Sequence, residues 1–136
     1  MFRKFNVMKK YIYYIAILIG ISISCQSQET KKVSVVTFEE FTKQVIGKDV
    51  QLIDLRTDRE YKAGFIDDAI QMNFFEKETF LKQIESLDKN KSVYIYCHSG
   101  GRSGRASKLL QEKGFQKIVD YAGGYSEWIV KSKLKK

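Results

Sequence analysis

Beyond residue 32, short β-branched runs alternate with stretches whose apolar residues recur at helical spacing. Residues 33–36 read as a first strand. Thr37 followed by Glu40 is a capping-box pattern, and Phe38, Phe41 and Val45 then share one face of a helix reaching Ile46. Residues 50–55 form a second strand, Asp58 opens a short helix ending at Gly64, and residues 69–73 form a third strand. Phe80, Leu81, Ile84 and Leu87 line one face of a helix over 76–87. Residues 93–97 read as a buried strand, and the helix over 103–113 stops at Gly114. A fifth strand covers 116–119, and Ser126 begins a last helix carrying Trp128 and Ile129. Strands alternating with helices predict an α/β fold with a mainly parallel five-stranded sheet, covered by helices on both faces. Ligands of such sheets sit outside the carboxyl ends of the strands.

The net charge is +8, and its placement changes its meaning. Residues 1–24 hold Arg3, Lys4, Lys9 and Lys10 without an acid, and residues 131–136 hold four lysines without an acid. The body between balances to zero, which argues against a nucleic-acid binder, whose folded domain would carry a basic stripe. Basic residues through Lys10 followed by the apolar stretch 11–23 have the order of a secretory signal. That stretch is shorter than the ~20 apolar residues of a spanning helix. Ser24 before Cys25 resembles a bacterial lipobox, with Ser22 where that motif prefers Leu. The expected organisation is a signal peptide over 1–24, a polar tether over 25–32 with Cys25 as the lipid attachment, a domain over 33–130 and a basic tail over 131–136. The protein would then be exported and held at the cell envelope through an N-terminal lipid. Uncleaved anchoring, or a plain signal with an incidental Cys25, are the alternatives.

Cys25 and Cys97 are the only cysteines, too few for a disulfide framework. Cys97 ends the strand over 93–97 and is followed by His98, Ser99, Gly100, Gly101, Arg102 and Ser103. Gly100 and Gly101 permit backbone angles that other residues resist, so the loop can turn its N–H groups inward as an anion nest. A helix starting near Ser103 adds positive potential, and Arg102 adds a full charge. Together they should hold the thiol below the free value of about 8.5. This is a nucleophile built into an anion site. Cys97 as a buried structural thiol is the bland alternative. Ser99 and Ser103 could cap the helix.

The segment Cys97-His-Ser-Gly-Gly-Arg102 resembles the six-residue active-site loop of the rhodanese sulfurtransferases. Leu52-Ile-Asp-Leu-Arg56 with Glu60-Tyr61, Gly64, Ile66 and Ala69-Ile70 is similar to the family's strand-and-turn signature. Gly114-Phe115, Val119 and residues 123–128 are similar to its C-terminal signature. The chain departs from many members at Phe65, where they have His, and at Asp67-Asp68, where they have Pro-Gly. The resemblance implies a rhodanese-like fold and transfer of sulfane sulfur from a small anionic donor such as thiosulfate to a thiophilic acceptor, through a Cys97 persulfide. It implies no metal or organic cofactor. Residues 98–102 would stabilise the persulfide through their N–H groups, and Arg102 would bind the anion and brace the loop. Asp54 would orient an arginine, either Arg102 or Arg56, while Glu60 pairs with arginines or caps a helix. A persulfide carrier or binding module serving a protein partner is one alternative. Cysteine-phosphatase chemistry is another, but its loop has one more residue between cysteine and arginine.

Overall fold

The computed structural model describes residues 32–134. The signal segment, the tether through residue 31 with Cys25, and the last two lysines lie outside these residues, whereas Lys32, expected in the tether, opens the first strand. Five parallel strands stand in the order β1-β5-β4-β2-β3: β1 Lys32–Val35, β2 Gln51–Asp54, β3 Ile70–Gln71, β4 Ser92–Tyr96 and β5 Lys117–Tyr121. The helices are α1 Phe38–Val45, α2 Asp58–Lys62, α3 Lys77–Gln83 with a 3-10 turn Ile84–Ser86, α4 Gly101–Glu112 and α5 Gly124–Leu134.

Local chemistry starts the first two helices. Thr37 and Thr57 each accept a hydrogen bond from the backbone three residues on, at Glu40 and Glu60, and both glutamates bond back to the threonine N–H. Two orphan donors are thereby satisfied at each helix start. Strand alternation then sorts the apolar residues onto two faces. Phe38, Phe41 and Val45 of α1 pack with Leu52, Tyr96, Tyr121 and Trp128 on one. Phe80, Ile84, Ala106 and Leu110 pack with Ile53, Val93, Ile95, Cys97 and Ile118 on the other. Helices therefore cover both faces, as the periodicity predicts.

Several boundaries differ from the sequence reading. The third strand shortens to two residues, although Met72 and Phe74 N–H groups still bond the carbonyls of Asp54 and Leu55. The helix over 76–87 tightens into a 3-10 turn from Ile84. α4 begins at Gly101, capped by Gly100 in the left-handed region with φ 89°, so Ser103 lies inside its first turn and no side chain caps it. α5 runs from Gly124 to Leu134, which takes Lys131 and Lys133 out of the expected tail and into a helix. Lys131 pairs there with Glu127 at 3.0 Å. Asp67 has φ 48°, a value the ring of a proline forbids. The departure from Pro-Gly at 67–68 thus changes the turn itself.

The topology places the site. From β2 the chain continues to β3 on one side, and from β4 to β5 on the other. The crevice at the carboxyl ends of β2 and β4 is the switch point where parallel sheets bind ligands.

Candidate active site

Cys97 follows β4 directly and is 1% exposed, at the floor of the loop leading into α4. Its Sγ accepts a hydrogen bond from the Gly100 N–H at 3.1 Å and lies 3.8 Å from the Ser103 hydroxyl oxygen. Burial pushes the thiol up. The N–H groups of Ser103, Ser99 and Arg102 and the Ser103 hydroxyl outweigh it, leaving the thiol below its ordinary value. The expected nest is therefore present, and its donors come from both the loop and the first turn of the helix.

The backbone behind the loop explains why those donors face inward. The Tyr125 N–H bonds the Cys97 carbonyl at 2.9 Å, and the Ser126 N–H bonds the His98 carbonyl at 3.0 Å. A trans peptide sets its N–H opposite its C=O. Tying the His98 carbonyl to α5 therefore aims the Ser99 N–H away from α5, toward the sulfur. The fit leaves no space for a side chain at two glycines. A Cβ on Gly100 would stand 2.6 Å from the Ala122 carbonyl oxygen, and one on Gly124 would stand 2.6 Å from the Cys97 carbonyl oxygen. Gly101 differs from expectation: its φ is not positive and a Cβ there would meet nothing within 4 Å. Only the first glycine of the pair is needed for the turn.

Arg102 points across the crevice to α2. Its guanidinium makes two parallel hydrogen bonds of 2.7 Å to the Glu60 carboxylate. The Arg102 pair is the main reason Glu60 is lowered to about 2, and Glu60 also receives the N–H and hydroxyl of Thr57. Glu60 thus both caps α2 and holds the loop arginine. Asp54 takes the other arginine. Its buried carboxylate accepts from Arg56 Nε at 2.9 Å, Arg56 Nη2 at 2.6 Å, the Arg56 N–H at 2.9 Å and Tyr96 Oη at 2.6 Å. Arg56 Nη2 also donates to the Gly64 carbonyl at 2.7 Å, and its guanidinium stacks 3.9 Å from the Tyr125 ring. This knot joins the end of β2, the 64–66 turn and the start of α5. Arg56 is 2% exposed, which makes it a structural brace with no face left for a ligand. His98 and Ser99 are exposed at the loop's outer side.

The model of the rhodanese-like domain matches residues 37–131. The chain belongs to the rhodanese-like domain family. A sulfurtransferase of Allochromatium vinosum is 33% identical over 81 residues, 60% of this chain and 73% of that protein. The crystal structure of a rhodanese-like domain protein from Staphylococcus aureus has a TM-score of 0.61 at 31% identity, covering 70% of this chain and 90% of that one. The human single-domain sulfurtransferase TSTD1 shares the fold, with a TM-score of 0.60 at 23% identity over 71% of this chain and 96% of that one. Other curated relatives are longer: the chain spans 56% of Bacillus subtilis YrkF and 36% and 44% of two tRNA uridine(34) hydroxylases.

Sequence reasoning missed three contributors: the Tyr125 and Ser126 N–H groups, the ring of Tyr125 over Arg56, and the buried Asp120 of β5. The first left a trace in Gly123-Gly124, adjacent glycines just before a helix. The others depend on tertiary packing.

Proposed function

We propose that this protein is a sulfurtransferase whose Cys97 carries sulfane sulfur as a persulfide. The Cys97 thiolate attacks the outer sulfur of a thiosulfate-type anion. A new S–S bond forms to Cys97, the donor's S–S bond breaks, and its electron pair leaves with sulfite. A thiophilic acceptor such as cyanide then attacks the outer sulfur, and the Cys97 thiolate leaves with the bonding pair. The observation that carries this reading is the set of N–H groups converging on Sγ, with the Gly100 donor at 3.1 Å. Such donors favour an anionic sulfur in both steps and need no reorganisation as charge moves. The kinship with a named sulfurtransferase supports the same reading.

Incubating the full chain with thiosulfate is expected to add about 32 Da, one sulfur atom, in a form removed by reductant. Cys97→Ser should show no gain. A folded protein with a free thiol that gains no mass from thiosulfate or other sulfane donors would overturn the reading.

We also infer that the domain works outside the cytoplasm, tethered through a lipid on Cys25. The support is the basic-then-apolar order of residues 1–24 and the cysteine at its end. Labelled palmitate should enter the chain in a bacterial host and be lost in Cys25→Ser. Unlabelled protein, or equal labelling of both, would sink it.

A further inference from the structure

Asp120 is the one carboxylate on the buried side of β5, and the site described above makes no use of it. Ile118 packs with Cys97, Ile95 and Ala106, and alternation along the strand turns Asp120 to that same face, beneath α4. It sits in register with Ile95 of β4 and Val35 of β1. The residue is 3% exposed, and its Oδ1 has no hydrogen-bond partner. Burial pushes the carboxyl up, and the group that pulls it back is the hydroxyl of Ser103.

Ser103 has a single hydroxyl proton and is itself fully buried. Two acceptors stand beside it, the Gly100 carbonyl, which takes the bond at 3.2 Å, and the Cys97 sulfur at 3.8 Å, while the carboxyl of Asp120, its Oδ1 unpartnered, is buried on the strand below. The other groups on this side are Ile95 of β4, Val35 of β1 and Ser107 of α4, none of which ionises. Of the cations of α4, Arg102 bonds Glu60, Arg105 bonds the Gly101 carbonyl, and Lys108 is exposed to solvent. Among the described residues, Cys97 is therefore the titratable group that flanks Ser103 on the face it shares with Asp120.

We propose that Asp120 is a positioning residue for the sulfur chemistry, deciding through Ser103 whether that hydroxyl is given to the Cys97 sulfur. A protonated Asp120 donates to the Ser103 oxygen and frees its O–H for the thiolate. An ionised Asp120 accepts the O–H and withdraws it from the sulfur. The carboxyl thereby limits how acidic the thiol becomes. That limit matters because a thiolate of lower pKa leaves more readily but attacks more slowly. The proposal rests on Cys97 as the sulfur-bearing residue.

The test is the rate of Cys97 alkylation by iodoacetamide against pH in the full chain. Asp120→Asn mimics the protonated carboxyl, so its midpoint should fall by about half a unit or more. Its plateau rate should drop below wild type, making the two curves cross. In a Ser103→Ala background, Asp120→Asn should move neither. An unshifted or raised midpoint in folded Asp120→Asn overturns the proposal, as does a shift that persists without Ser103. The variant should fold. A carboxyl whose folded pKa lies above its unfolded one stabilises below the unfolded value and loses that contribution as pH rises through the folded value, so removing the charge helps wherever the carboxyl is ionised. Should it fail to fold, the carboxyl 13C titration of Asp120 in the unsubstituted chain should inflect where the thiolate forms, and a curve without that inflection overturns the idea. Alkylation needs no sulfur donor, so its result stands apart from that of the thiosulfate experiment.

Discussion

Replacing Asp54 with Asn is expected to destabilise the domain by about 3–5 kcal/mol, the usual cost of breaking one side of a buried, hydrogen-bonded ion pair. The substitution is nearly isosteric, so the loss is electrostatic. Every neighbour of the carboxylate is a donor: three N–H groups of Arg56 and the hydroxyl of Tyr96. An amide nitrogen placed among them has nothing to bond. Tyr96 suffers twice, because its oxygen already accepts the Ile66 N–H at 3.1 Å and would face a second donor in place of its acceptor. Arg56 would keep its charge at 2% exposure with only the Gly64 carbonyl and the Tyr125 face beside it. Thermal unfolding should show Tm lower by about 12 °C or more for a domain of this size. Asp54→Asn and Arg56→Met combined should cost much less than the sum of the two, since the second removes the charge that the first strands. Additive losses would mean that the two residues do not act as a pair. Sulfur loading should fall with stability, because the knot holds Tyr125, whose N–H anchors the Cys97 carbonyl.

The sequence exposed the fold where period and chemistry agreed. Thr37 with Glu40 marked a helix start because a capping box is local, and its partners lie three residues apart. The loop from Cys97 to Arg102 was legible for the same reason: nucleophile, turn and charge are contiguous. Boundaries failed where tertiary packing overrides local preference. Ser103 reads as a cap by residue type, but Gly100 takes that role because the turn needs a positive φ against the Ala122 carbonyl. Two arginines competed for Asp54 on paper. Sequence spacing could not choose between them, whereas the fold swings Arg102 to Glu60, 42 residues away, and leaves Arg56 with Asp54, two residues away. Asp120 was invisible for a different cause. A lone acid in an apolar strand carries no motif, and its meaning comes only from the helix laid over it.

Gly124→Ala should separate the loop's sequence from its aim. The loop itself would be unchanged, with every residue from 97 to 103 in place. A Cβ at 124 would stand 2.6 Å from the Cys97 carbonyl oxygen and 2.5 Å from that of His98, both backbone atoms that cannot swing aside. The position also has φ 64°, which costs an alanine about 1–2 kcal/mol. Either the start of α5 retreats, or the two peptides rotate. Both responses loosen the bonds from Tyr125 and Ser126, and rotation of the second peptide turns the Ser99 N–H off the sulfur. Removing one preorganised donor from an anion site typically costs about 100-fold in rate. Sulfur loading from thiosulfate should therefore slow by at least about 10-fold, and the midpoint of Cys97 alkylation should rise. Gly104→Ala is the matched control, since a Cβ there meets nothing within 4 Å and the helix interior favours alanine over glycine by about 1 kcal/mol. If Gly124→Ala folds and loads sulfur at the wild-type rate, α5 does not aim the loop, and the inward N–H groups must be held by the turn at Gly100 alone.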